Sequence, residues 1–177
     1  NAFFLLYVAI VGLALYALLS AVPRLEFAVA DIRGAARVTG VDYLLLVASG
    51  LGVLWTGMAL GYLFTGAVPA PIVASGHPTG VVFAVDLVFI VPPMVVGAVG
   101  LIRRTGFGQL VATALCLSGT VYTLSLAAGS AEGARVGVGS GAELPLWVAL
   151  TLFGALSSFL LLAGRRSAGA AEVPRAR

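Results

Sequence analysis

The chain contains no lysine; all ten of its cations are arginine. That gap excludes a retinal Schiff base and the lysine of a Walker A phosphate loop. Histidine and cysteine occur once each, as His77 and Cys116. A single cysteine allows neither an internal disulfide nor a C-x-x-C redox pair, and the two residues together give no metal-ligand spacing and no bis-histidine haem site. Neither His nor Lys falls within an apolar run, so an intramembrane serine would have no base in reach. Acids are also sparse. Of the seven carboxylates only Asp86 lies well inside an apolar run, whereas Asp42 and Glu143 sit at run ends, where water and headgroups solvate them. A membrane enzyme built on several carboxylates is therefore not expected, and neither a catalytic residue, a metal nor a cofactor is assigned. The net charge of +3 comes from arginines that flank the runs and form no basic face, which excludes nucleic acid as a partner.

What remains is hydrocarbon. Hydrophobic residues make up 60% of the 177 and charged residues 10%, against about 25% charged in a soluble domain. The apolar residues gather into runs at about residues 2–22, 43–64, 81–102, 107–128 and 144–163. Each run, as a helix rising 1.5 Å per residue, crosses about 30 Å of hydrocarbon. The expected fold is an all-α polytopic transmembrane bundle. Residues 1–164 form one membrane domain and 165–177 a short arginine-containing cytoplasmic tail.

The arginines set an orientation. Arg24, Arg33 and Arg37 lie between the first two runs, Arg103 and Arg104 between the third and fourth, and Arg165, Arg166, Arg175 and Arg177 after the fifth. All of these fall on one side of the membrane, and Arg135 alone falls on the other. The positive-inside rule makes the crowded side cytoplasmic and Asn1 external. The expected location is a bacterial cytoplasmic membrane, with a sixth span upstream of Asn1. The segment 24–37 is amphipathic, with Leu25, Val29, Ile32 and Ala36 on one helical face. It reads as a short helix on the inner membrane surface or as a plain connector. The external loop 66–80, which holds His77, reads as proline- and glycine-rich, and the loop 129–143 as flexible.

Asp86 is the residue to explain. It stands about 8 Å deep in the third run, ahead of Pro92 and Pro93 near mid-membrane. The prolines remove the donors for the Val88 and Phe89 carbonyls and kink the helix, which makes them hinge candidates. A lone carboxylate in hydrocarbon is too costly to leave unpaired, so a neutral, hydrogen-bonded acid is expected. Matching depth places Tyr122 and Thr123 of the fourth run level with it, together with Tyr7, Tyr62 and Thr151. The fourth run carries a polar stripe, Gln109, Thr113, Cys116, Thr120 and Thr123, and the third carries Asp86, Pro93, Gly97 and Gly100 on one face. Those two faces are expected to meet. Gly57-x-x-x-Gly61, with Gly50, offers a further close-packing face. Trp55 and Trp147 read as packing or interface anchors.

The stretches "NAFFLLYVAIVGLALYALL" and "VVFAVDLVFIVPPMVVGAVGLIRRTGFGQLVATALCL" resemble an uncharacterised family of bacterial polytopic membrane proteins of about six spans. The resemblance rests on Phe4–Ala9, on Asp86 and Leu87, on Pro92 or Pro93, and on the Arg103–Arg104 turn followed by Phe107. It implies further helix upstream and assigns no substrate or reaction. Two functional expectations follow. The first is a non-catalytic structural or accessory membrane component, in the lipid bilayer as a homo-oligomer or with other membrane subunits, in which Asp86 bonds helix to helix. The second is a small transporter or sensor, in which Asp86, Tyr122, Thr123 and His77 bind a proton or a small polar ligand.

Overall fold

The computed structural model describes residues 29–75 and 80–164, together with Ile10, Leu13, Ala14, Ala17 and Val22. Apart from those positions the first expected span lies outside the described residues, as do His77 and the tail 165–177. Regular structure in the described residues is helical: α1 (Gly34–Thr65), α2 (Ala70–Ser75), α3 (Val81–Ile102), α4 (Gly106–Arg135) and α5 (Leu144–Gly164). Four of these, all but α2, are long and apolar enough to cross a membrane. The protein is thus an all-α bundle with the architecture of a multi-pass membrane protein.

Each long helix buries one stripe at helical spacing. On α4 it runs through Gln109, Thr113, Cys116, Thr123 and Ala127, and on α5 through Gly154, Ser157, Ser158 and Leu161. Outward positions are large and apolar, such as Leu117, Val121, Leu152 and Phe159. Small and polar residues thus share the interior with a few large ones such as Leu44, Leu101 and Leu161, while many large apolar side chains face out, as expected where lipid is the solvent.

Small residues allow the helices to touch. A Cβ on Gly100 would collide with the Gly108 backbone, and one on Gly97 would lie 3.1 Å from the Ala112 Cα, so α3 and α4 meet backbone to backbone. Tyr43 of α1 is fully buried between Gly119 of α4 and Gly154 of α5, edge-on to Phe153 with ring centroids 5.6 Å apart. The expected Gly50–Gly57–Gly61 face does not pack: nothing described approaches within 4 Å of a Cβ built at any of the three. The last turns of α1 rise clear of their neighbours.

Helix lengths depart from the expectation for a physical reason. α1 starts at Gly34 rather than near 43, and α4 runs to Arg135 rather than near 128. Their 32 and 30 residues span about 45–48 Å, beyond about 30 Å of hydrocarbon, so their polar ends stand out of it. Hydropathy marks the solvent boundary and not the end of the hydrogen-bonded helix.

The described part of segment 24–37 is not a surface helix. Residues 29–33 are irregular and Gly34 opens α1. Ile32 is 2% exposed and packs near Gly164 at the end of α5. The Gln109 side chain takes the Ala30 backbone into a paired amide contact, donating through Nε2 to the Ala30 carbonyl at 2.8 Å and accepting the Ala30 N–H at Oε1 at 2.9 Å. The segment plugs the arginine end of the bundle because a buried amide can satisfy irregular backbone there.

The connections are tight. Thr105 N–H bonds to the Gly100 carbonyl and Arg104 N–H to that of Leu101, a Schellman end to α3 that puts Arg104 at φ 57°. Thr105 then caps α4 by accepting the Gly108 N–H. α4 ends in the same way: Gly137, at φ 76°, and Val138 bond back to Ala134 and Gly133. The loop expected to be flexible therefore begins as helix and continues as a pinned turn.

Candidate functional site

The Asp86 carboxylate accepts a hydrogen bond at Oδ2 from the Trp55 indole N–H of α1, at 3.0 Å. Phe83, one helical turn before Asp86, stacks on the Trp55 ring with centroids 4.2 Å apart and planes within 12° of parallel. The acid, the indole and the phenyl ring are each half-buried. The pairing is local in origin: Phe83 and Asp86 are three apart on one helix, so the ring covers the indole face while the carboxylate takes its edge.

The partner is thus α1, where α4 was expected. The cause is the backbone. From Asp86 to Ile90 α3 is a π-turn, in which the Val91 N–H donates to the Asp86 carbonyl. Pro92 and Pro93 follow it and supply no N–H to Val88 or Phe89. A widened i→i+5 turn is one way to accommodate that loss, and its extra residue rotates everything above by about 100° relative to the helix below. Gly97 and Gly100 therefore still pack on α4 as expected, while Asp86 is swung onto α1.

The other expected residues separate. Thr123 is buried, but its hydroxyl bonds to the carbonyls of Gly119 and Thr120 and accepts the Thr151 hydroxyl of α5 at 3.0 Å. It belongs to the α4–α5 seam, not to Asp86. Tyr122 lies within electrostatic range of Asp86 but is 55% exposed and makes no hydrogen bond to it. His77 is outside the described residues. Pro92 faces outward and Pro93 is half-buried.

Trp55 is the residue that sequence reasoning assigned to packing or interface anchoring, with no link to Asp86. Depth matching put Tyr62 level with Asp86, but α1 overshoots, and the level is two turns lower at Trp55. Tyr62 is 53% exposed. The usable signal was the α1 stripe itself: Ala36, Gly40, Tyr43, Leu44 and Ala48 are its buried positions, and continuing at the same spacing reaches Trp55.

Elsewhere the polar groups also bond within the protein. The Ser157 hydroxyl donates to the Thr39 carbonyl of α1 at 3.1 Å, and Thr113 and Thr120 donate back to their own helix at 2.7 Å. Tyr43 Oη and Ser158 Oγ are the buried side-chain polar atoms with no partner among the described residues. The same residues show no group of three metal-ligating side chains. No protein-family model matches the chain, and neither a curated protein nor a solved structure matches it at a significant level.

Proposed function

We propose that the protein is a non-catalytic integral membrane component, structural or accessory, that works through helix–helix contacts in a bacterial cytoplasmic membrane. The observation that carries this reading is the destination of the acid inside α3. The Asp86 carboxylate is directed at an indole on the next helix. The Thr151–Thr123 and Ser157–Thr39 bonds use interior hydroxyls in the same way, to join helices. The arginine balance supports placing the Arg103–Arg104 turn on the cytoplasmic side.

A second reading, a small transporter or sensor, is favoured by one feature. A π-turn beside a proline pair, next to a half-buried acid with Tyr122 in range, is a place where a helix could change pitch when a proton or polar ligand arrives. Native mass spectrometry of the full chain, gently extracted from its own membrane, separates the two. The accessory reading expects a fixed homo-oligomer or a bound protein partner without a small molecule. A stoichiometric small ligand that is lost in Asp86→Asn would overturn it in favour of the second.

A further inference from the structure

At the end of the bundle away from the Arg103–Arg104 turn, the last turns of α4, the connection after it and the first turn of α5 enclose a pocket of about 410 Å³. That is within the range of small-molecule sites, about 300–1,000 Å³. Its lining includes Ser130, Gly133, Ser140, Glu143 and Trp147, with Leu126 among its apolar residues. We propose that this pocket binds an organic ammonium ion.

The argument is one of chemical balance. The charged side chain among the described lining residues is an acid. Glu143 brings a carboxylate, and Ser130 and Ser140 bring hydroxyl oxygens. The Trp147 indole N–H points at Glu143 Oε2, 3.4 Å away, so the acid and the ring stand side by side. A carboxylate with an aromatic ring and apolar side chains beside it suits a cation that carries its own apolar surface, its charge meeting Glu143 and its alkyl groups meeting Trp147, Leu126 and Val138. Among the described residues no cation lines the pocket. Arg135 is the described cation at this end, and Glu132 holds it through two bonds of 2.7 Å; neither residue lines the pocket.

The walls are also set in advance. Val138 and Gly139 N–H both bond to the Gly133 carbonyl, Leu144 N–H bonds to that of Gly141, and Ala142 N–H bonds to Ser140 Oγ. Gly141 sits at φ 67°, where a side chain would be strained and would press on Ala134. A site ordered before its ligand arrives loses less entropy on binding.

The ammonium could be a free solute or the headgroup of a lipid, since Trp147 lies one turn into a span. The test uses the full chain in nanodiscs of phosphatidylglycerol, which has no ammonium, titrated with choline and followed by calorimetry. Saturable binding is expected, weakened about tenfold in Glu143→Gln and in Trp147→Leu and retained within a few-fold in Glu143→Asp. The neutral isostere 3,3-dimethylbutanol should not bind. Repeating the titration in phosphatidylethanolamine distinguishes the sources: a headgroup site shows competition and a weaker apparent affinity, while a site for a free solute does not change. No saturable binding by the wild type, equal binding by Glu143→Gln that elutes and folds as the wild type does, or equal binding of the neutral isostere would overturn the proposal.

Discussion

At the scale of single residues, the fold depends on a few side chains that meet backbone or one another where water cannot reach. Gln109 is the clearest. Its amide is 4% exposed and holds both polar groups of Ala30. Gln109→Leu leaves that N–H and carbonyl unpartnered and should cost about 2 kcal/mol, read as a lower unfolding midpoint in detergent. Arg104 makes the opposite case. It ends α3 in the left-handed region at φ 57°, which costs a residue bearing a Cβ about 1 kcal/mol. Arg104→Gly should stabilise the protein by up to about that amount in the same assay. Neither role could be read from the sequence. Gln109 was legible as part of a polar stripe, but its bond reaches back 79 positions to a segment that itself reads as a surface helix or a plain connector. Arg104 reads as a topogenic charge, and nothing in an arginine pair announces a positive φ.

At the scale of helices, contact is set by what is small. Gly100 and Gly108 leave no room between α3 and α4. Gly108→Ala should force the pair apart and cost about 1–3 kcal/mol, whereas Gly57→Ala, which meets open space, should cost nothing beyond experimental error. A thermal melt of the two variants side by side checks this. Glycine spacing alone does not rank the faces: Gly57 and Gly61 have the familiar motif and no neighbour among the described residues, while Gly97 and Gly100 pack without it. The prolines behave as elements too. Pro92→Ala with Pro93→Ala restores both missing donors, so the turn from Asp86 to Ile90 should relax to α-helix and carry Asp86 off Trp55. Indole fluorescence should report the lost contact. The break in α3 was legible because proline chemistry is local. Its form as a π-turn, and the rotation that follows, was not, because that depends on which neighbour can receive the displaced face.

At the scale of the whole molecule, the four described spans and their order were legible from hydropathy, since about 30 Å of hydrocarbon demands long apolar helices whatever the function. The partners across helices were harder to read. A run that is apolar on every side carries no moment to orient it, and matching depths fails when a helix such as α1 outruns the bilayer. The account rests on one claim: the polar groups within the spans hold helix to helix. A double-mutant cycle in lipid, with wild type, Asp86→Ala, Trp55→Phe and the double variant, and with Asp86→Asn beside it as the variant that keeps the acceptor, tests it most directly. Asn keeps an oxygen that can accept from the indole, so Asp86→Asn alone should remain close to the wild type in stability. Trp55→Phe removes the donor and should cost about 1 kcal/mol, with a measurable coupling of about 0.5–1.5 kcal/mol between the two positions. Zero coupling, with Asp86→Asn abolishing a pH-dependent activity in a protein as stable as the wild type, would contradict the account and make Asp86 a proton or ligand carrier.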